Sequence, residues 1–363
     1  MDFPKYDGNI HPDEWINDIQ RYCEIWKTES CLYIAISLID PIVKLPTNIN
    51  DIENLRNALK EDISFSIFKN TNKRKLQLLK YIPENRGGDT SKFISTFLKL
   101  CYNAEINDVE EQKNYLYKSL PMMHFDTISN EFHEKMKNVS STNELVKEFE
   151  DFAIYESNLI TSESIIALKH IATGKYLSSI ENLCYTTGYK FQLVFAGSPV
   201  PGPNSLWKIK FENESVIHSN TFIKLQHVKS INKFLGICGL TKSPSNNHTE
   251  VSCNNIGNMN SSYRILWEEN WKFNYSKLAN HQGHLKSNDI INLSIKKTTD
   301  DIGYYTQNGQ IEFLRSHDIK FTVKNDTFQE VVCHKERLGG NDEWRIELIK
   351  QYVWTMDTLQ FAC

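Results

Sequence analysis

A chain of 363 residues is long for one ordinary domain and fits two, each able to bury its own core. Its hydrophobic fraction of 40% and aromatic fraction of 12% are those of a globular protein, and no stretch reaches the roughly 18 to 20 uncharged apolar residues of a membrane helix. The formal net charge of −4 is unevenly placed: residues 1 to 160 carry 19 Lys and Arg against 26 Asp and Glu, residues 161 to 363 carry 22 against 19. An acidic first half argues against phosphate-backbone binding and so against a nucleic-acid partner.

The opening "MDFPKYDGNIHPDEW" has neither the basic start and apolar run of a secretory signal nor the acid-poor composition of a mitochondrial leader, so a cytoplasmic location is expected. Trp15, Ile19, Tyr22 and Trp26 then recur at helical spacing after Pro12, Asp13 and Glu14, predicting a helix over 12 to 27 with both tryptophans in the core. Further amphipathic runs predict helices at about 51–69, 73–82, 90–103, 108–118, 122–137 and 142–157, the last capped by Ser141 or Thr142. The compact basic run "KNTNKRK", Lys69 to Lys75, reads as a solvated turn between two of them. Residues 1–158 are thus expected to form an all-α bundle.

Two parts of this half, "FPKYDGNIHPDEWINDIQRYCEIW" and "KFISTFLKLCYNAEINDVEEQKNYLYKSLP", resemble the capsid region of retrotransposon gag proteins. The residues that carry the resemblance are Phe3, Gly8, Glu14-Trp15, Phe93, Phe97, Leu100, Tyr115-Leu116 and Leu120-Pro121. No Cys-x2-Cys-x4-His-x4-Cys knuckle follows, and the domain is acidic. What the resemblance implies is helix-mediated self-association, a homo-oligomer without nucleic acid.

From Glu163 the helical stripe gives way to short β-rich runs separated by turns: "SIIALKHI", "KFQLVF", "TFIKLQHV", "IINLSIKK", "DIKFTVKN" and "FQEVVCH". They fall into three copies of one pattern. The first holds Leu168, His170, Tyr176-Leu177, Gln192-Leu193-Val194 and Trp207; the second Leu225, His227, Phe234-Leu235, Glu250-Val251 and Trp271. The third holds Leu293, Ile295, Tyr304-Tyr305, Gln329-Glu330-Val331 and Trp344. Three units of about four strands predict an all-β β-trefoil over 162–350, with Leu168, His170, Trp207, Leu225, His227, Trp271, Leu293 and Trp344 as structural core. Residues 351–363 form a C-terminal tail, expected to pack through Trp354, Leu359 and Phe361.

"SIIALKHIATGKYLSS", "TFIKLQHVKSINKFLGI" and "FQEVVCHKERLGGNDEWRIE" resemble the MIR domain, named for protein mannosyltransferases, inositol trisphosphate receptors and ryanodine receptors. The resemblance implies a β-trefoil used for binding and docking. The third copy departs from it at Ile295 and in the long "TTDDIGYY".

Catalytic motifs are lacking. "TGK" at 173–175 has no first P-loop glycine, and Tyr176 stands where Ser or Thr is needed, so Gly174 reads as a turn residue between strands. Cys238, His248, Cys253 and Cys333-His334 lack structural-zinc spacing and read as buried thiols and structural imidazoles. Asp342 and Glu343 have no evident acid–base partner. No enzyme, metal or cofactor is expected. The reading is an interaction protein with a protein or glycan partner, Lys175, Tyr185, Asn232, Lys233 and Tyr304 near the turns being the candidate ligand contacts. A lectin-like carbohydrate-binding protein and an accessory factor of protein O-mannosylation are the alternatives.

Overall fold

The computed structural model describes residues 5–28, 30–121, 125–211, 221–255, 257, 266–275, 284–300 and 302–350. Phe3 and the tail, with Trp354, Leu359 and Phe361, lie outside the described residues. The chain divides into two compact units, Met1–Ile154 and Tyr155–Cys363.

Eight helices are described: α1 (Pro12–Ile25), α2 (Cys31–Ser37), α3 (Ile52–Glu61), α4 (Ile63–Leu78), α5 (Thr90–Asn103), α6 (Val109–Ser119), α7 (Phe125–Met136) and α8 (Thr142–Asn158). Side chains cap the orphan amides at several of their starts. His11 Nδ1 accepts from Asp13 N before α1, Asp89 from Lys92 N before α5, and Asp108 from Glu111 N before α6. Ser141 Oγ accepts from Glu144 N at α8. Trp15, Ile16, Ile19 and Cys23 of α1 bury against Tyr6, Val43, Leu55 and Leu59. A second core joins Phe93, Phe97 and Leu100 of α5 to Phe132, Phe149 and Phe152 of α7 and α8.

Three expectations for this unit need correction. The predicted helix 51–69 is broken at Asp62, whose extended backbone (φ −64°, ψ 145°) ends α3 while its carboxylate accepts from Ser64 N to start α4. Lys69 to Lys75 therefore lie inside α4, not in a turn. Trp26 is 54% exposed because α1 ends at Ile25, so the last residue of the predicted stripe falls past the helix and off the core face.

Among the described residues the second unit has thirteen strands. The first repeat supplies β1 (Ile165–His170), β2 (Leu177–Cys184), β3 (Gln192–Ala196) and β4 (Trp207–Phe211). The second supplies β5 (Phe222–His227), β6 (Phe234–Lys242), β7 (Thr249–Asn254), the short β8 (Trp267–Glu268) and β9 (Trp271–Tyr275). The third supplies β10 (Ile290–Thr299), β11 (Tyr305–Val323), β12 (Asp326–His334) and β13 (Trp344–Lys350). Strands β13, β1, β4, β5, β9 and β10 pair in that order, and β10 pairs β13 again, closing a six-stranded barrel with no edge. The hairpins β2–β3, β6–β7 and β11–β12 meet through the β3–β7, β7–β12 and β12–β3 pairings. This is the connectivity of a β-trefoil.

The repeats are equivalent in register as well as in order. Leu168, Leu225 and Leu293 stand opposite Ile346, Ile209 and Phe273, and Ile166, Ile223 and Ile291 stand opposite Trp207, Trp271 and Trp344. All three leucines and all three tryptophans are buried in one core. Each indole Nε1 donates to a hairpin carbonyl, from Trp207 to Leu177 (2.9 Å), Trp271 to Leu235 (2.9 Å) and Trp344 to Leu314 (3.1 Å). A buried tryptophan thus contributes apolar area without stranding its N–H.

That pattern corrects the third repeat. The counterpart of Tyr176-Leu177 and Phe234-Leu235 is Phe313-Leu314, not Tyr304-Tyr305. The distance from hairpin leucine to closing tryptophan is 30, 36 and 30 residues, so the extra length lies in the β10–β11 arm. Tyr304 and Tyr305 belong to that arm and are 71% and 69% exposed. Tyr304→Ala and Tyr305→Ala are accordingly expected to change unfolding free energy by less than about 0.5 kcal/mol, measured from urea unfolding midpoints.

Candidate functional site

The alternation of β4 and β5 decides what faces outward. Ile209 on β4 and Ile223 and Leu225 on β5 enter the core, so Lys208, Lys210, Phe222 and Lys224 point the other way, with Lys210 opposite Lys224. Phe234 at the start of β6 stands opposite Gln226. Glu163 is fixed beside them by its backbone, since Glu163 N donates to Ile209 O and Ile209 N to Ser164 O. Together Ser162, Glu163, Lys210, Phe211, Phe222, Lys224, Phe234 and Asn270 line a cleft of about 290 Å³, at the small end of the size range of ligand pockets.

Its walls are aromatic and its rim is charged. Lys210 Nζ sits 5.7 Å from the Phe234 ring centroid and Lys272 Nζ 4.5 Å from that of Phe222, cation–π contacts that hold both rings in place. Glu163 bridges Lys208 (3.1 Å) and Lys210 (3.7 Å), while Lys224 pairs with Glu269 (3.2 Å), whose other oxygen accepts from Trp267 Nε1. Phe222 remains 53% exposed.

The threefold-related position between β13 and β1 is filled differently. Glu347 and Ala167 occupy the places of Lys210 and Lys224, and Tyr176 that of Phe234. The Tyr176 hydroxyl donates to Glu347 Oε2 at 2.7 Å. Burial and that carboxylate push the phenol up to about 12. Phe234, without a hydroxyl, makes no such bond in the second repeat.

The five candidate contacts do not converge. Lys175 lines a separate cleft with Lys320 and Gln329. Asn232 is exposed in the β5–β6 turn with φ +58°, and Tyr304 is on the β10–β11 arm. Lys233 donates inward to Gln192 Oε1 at 2.8 Å. Tyr185 requires correction: it is 2% exposed, and its hydroxyl reaches Val194 O and Val251 O where the three hairpins meet. The aromatic ring is drawn under the hairpins beside Phe321, and its place next to the 186–189 turn in sequence hid this. Of the cleft residues, Phe222 had a legible signal, because it shares the outward parity of Lys224 and Gln226 in "TFIKLQHV".

His170 and His227 serve the frame. Each Nδ1 lies 2.9 Å from a turn hydroxyl, Thr173 or Ser230, and each Nε2 contacts the carbonyl of Asn341 or Asn204 in the turn before a closing tryptophan. Burial lowers the pKa of both rings. Gly174 has φ +68° in the β1–β2 turn, a conformation that glycine adopts without strain. Cys238, Cys253 and Cys333 are buried thiols, and among the described residues no three His, Cys, Asp or Glu side chains are placed to share a metal ion. Asp342, expected to stand alone, is ion-paired inside the unit. Its Oδ1 lies 2.8 Å from His334 Nε2 and 2.8 Å from Arg315 Nε.

Comparison with known proteins gives only distant likeness. No family model matches the chain, and no curated protein matches it. Among solved structures, it is similar to the SDF2-like protein from Arabidopsis thaliana (24% identity, TM-score 0.40, 52% of this chain and 94% of that one). It is also similar to the S. cerevisiae protein O-mannosyltransferase Pmt1-Pmt2 complex bound to the sugar donor (14%, 0.39, 70% and 43%). A third similarity is to the Macrolepiota procera ricin B-like lectin in complex with lactose (12%, 0.29, 52% and 98%).

Proposed function

We propose that the chain is a non-enzymatic interaction protein whose β-trefoil binds a glycan in the cleft between β4, β5 and β6. The observation that carries this reading is the convergence of Phe211, Phe222 and Phe234 with Glu163, Lys210, Lys224 and Asn270 around one opening. A sugar ring has an apolar face that stacks on an aromatic ring and a rim of hydroxyls that both donate and accept hydrogen bonds. Carboxylate, ammonium and amide groups supply the complementary partners. The resemblance to MIR domains, read from the sequence, supports a binding module. Glycan-array binding by the full chain tests it: the wild type is expected to retain a defined subset of glycans, and Phe222→Ala with Phe234→Ala to lower that affinity tenfold or more. A wild-type chain that retains no glycan would falsify the reading.

Self-association through the helical unit is a second property that we propose. Ile25, Trp26, Tyr33 and Ile42 are 72%, 54%, 79% and 83% exposed and lie within eighteen residues of one another in sequence, apolar side chains that association would remove from water. The gag capsid resemblance supports it. Sedimentation velocity is expected to show a mass rising with concentration, and Trp26→Asp to return it toward the monomer. A monomer at every concentration tested removes this part.

A further inference from the structure

The threefold symmetry of the trefoil exposes a second site by the failure of one internal hydrogen bond. In the first repeat, Gln192 is buried at the start of β3, and its Nε2 donates to Ser179 Oγ (2.7 Å) and Ser230 Oγ (2.9 Å). Its Oε1 accepts from Lys233 Nζ (2.8 Å) and Ser230 Oγ (3.2 Å). The hairpin of one repeat is thereby tied to the turn of the next.

Gln329 is the third-repeat counterpart, as buried as Gln192 at 3% exposed, and its Nε2 donates to Ser316 Oγ (2.9 Å) just as Gln192 does to Ser179. Its Oε1, covered by protein, has no donor. A buried amide oxygen without a partner is destabilising, so the gap requires a reason. The residue that should close it is Lys175, which precedes Tyr176 as Lys233 precedes Phe234. Lys175 instead lines a cleft of about 400 Å³ with Lys320, Ser198, Thr327, Gln329 and Phe328. Lys320 is exposed, and neither ammonium is within ion-pair distance of a carboxylate among the described residues.

We infer that this cleft binds an acidic sugar, whose anionic group lies between Lys175 and Lys320 and whose hydroxyls meet Ser198 and Thr327. Two ammonium groups without a protein carboxylate select a negative charge. The flanking hydroxyls, each able to donate and accept, select a hydroxylated ligand over a bare apolar acid. Withholding Lys175 from Gln329 leaves its charge available to solvent, whereas Lys233 is consumed by the fold. The site is separate from the cleft of Phe222 and Phe234, and its occupancy does not depend on the glycan reading of that cleft.

The test is isothermal titration of the full chain with glucuronate, glucose 6-sulfate, glucose 6-phosphate and neutral glucose, the three acids distinguishing the source of the anion. At least one acid is expected to bind tenfold or more tightly than glucose, with an affinity that falls as salt rises. Lys175→Gln with Lys320→Gln is expected to abolish that difference, while Phe222→Ala with Phe234→Ala leaves the affinity for the acid itself intact. Both lysines are on the surface, and an unchanged far-ultraviolet circular dichroism spectrum will show that the double variant is folded. Three acids that bind no better than glucose, or an acid preference that survives the lysine variants, would overturn the assignment.

Discussion

Asp342→Ala is expected to destabilise the β-trefoil by about 3–5 kcal/mol, the cost of breaking a buried ion pair by removing one partner. Asp342 and His334 are both fully buried, and the carboxylate joins His334 Nε2 (2.8 Å), Arg315 Nε (2.8 Å) and Arg315 Nη2 (3.2 Å). It also accepts from Gly339 N at 2.6 Å, closing the turn before Trp344 much as Ser205 accepts from Gly202 N before Trp207. Without it, the Arg315 guanidinium keeps only the exposed Glu336 as counter-charge, and the buried His334 Nε2 loses its hydrogen-bond partner. Burial alone would raise the Asp342 pKa, yet the hydrogen bonds from His334, Arg315 and Gly339 outweigh it and hold the group at about 2. The folded-state pKa is depressed, so this stabilisation is complete above the ordinary value of 3.8 and is lost as pH falls toward 2. Glu336→Ala is the control, because Glu336 meets Arg315 at 2.8 Å but is 58% exposed. It is expected to shift the unfolding midpoint far less than Asp342→Ala does, because solvent screens an exposed pair. Urea unfolding at pH 7 measures both, and a loss below 1 kcal/mol for Asp342→Ala would remove the network from the account of stability.

How much of this was legible in the sequence follows from where each signal is stored. The trefoil was legible because its repeats place Leu168, Leu225 and Leu293 and the closing tryptophans at inward positions, and period-2 alternation survives insertion elsewhere. The third hairpin was misassigned because Tyr304-Tyr305 matches the local pattern, while the true counterpart, Leu314, is identified by the Trp344 hydrogen bond and by the Ser294–Phe313 pairing. Helix starts were legible where a side chain caps them, and the break at Asp62 was missed because one residue ends α3 and begins α4 without proline or glycine. The clefts were the least legible part. Glu163, Lys210, Phe222 and Phe234 come from the barrel entrance and two different strands and one hairpin, and only the β4–β5 register brings them together. Asp342 likewise gains its partners from β11 and β12, which no local motif announces.

Glu250 leads to the opposite pH dependence. It lies on β7 where the hairpins meet, is fully buried, and has no hydrogen-bond partner for either carboxylate oxygen. Its threefold counterparts show two other solutions. Leu193 carries no charge, while Glu330 accepts from Ser245 N (3.2 Å) and lies 3.3 Å from His317 Nε2. Around Glu250 the phenol of Tyr185 is committed to Val194 O and Val251 O, so it cannot serve the carboxylate. Burial therefore raises the Glu250 pKa from 4.5 to about 8, and the folded protein keeps the group protonated at neutral pH. The unfolded chain ionises it freely above 4.5. Because the folded-state pKa is raised in an acid, stability falls as pH rises from 4.5 to about 8 and is level beyond. At about 1.4 kcal/mol per pH unit, the loss by pH 7 is of the order of 3 kcal/mol, which Glu250→Gln, neutral throughout, does not suffer. Urea unfolding of both proteins at intervals from pH 5 to pH 9 is expected to show similar midpoints at pH 5 and a growing advantage for the glutamine variant up to pH 8. Parallel profiles across that range would mean that Glu250 is ionised and satisfied in the folded state, and the argument from its burial would fail.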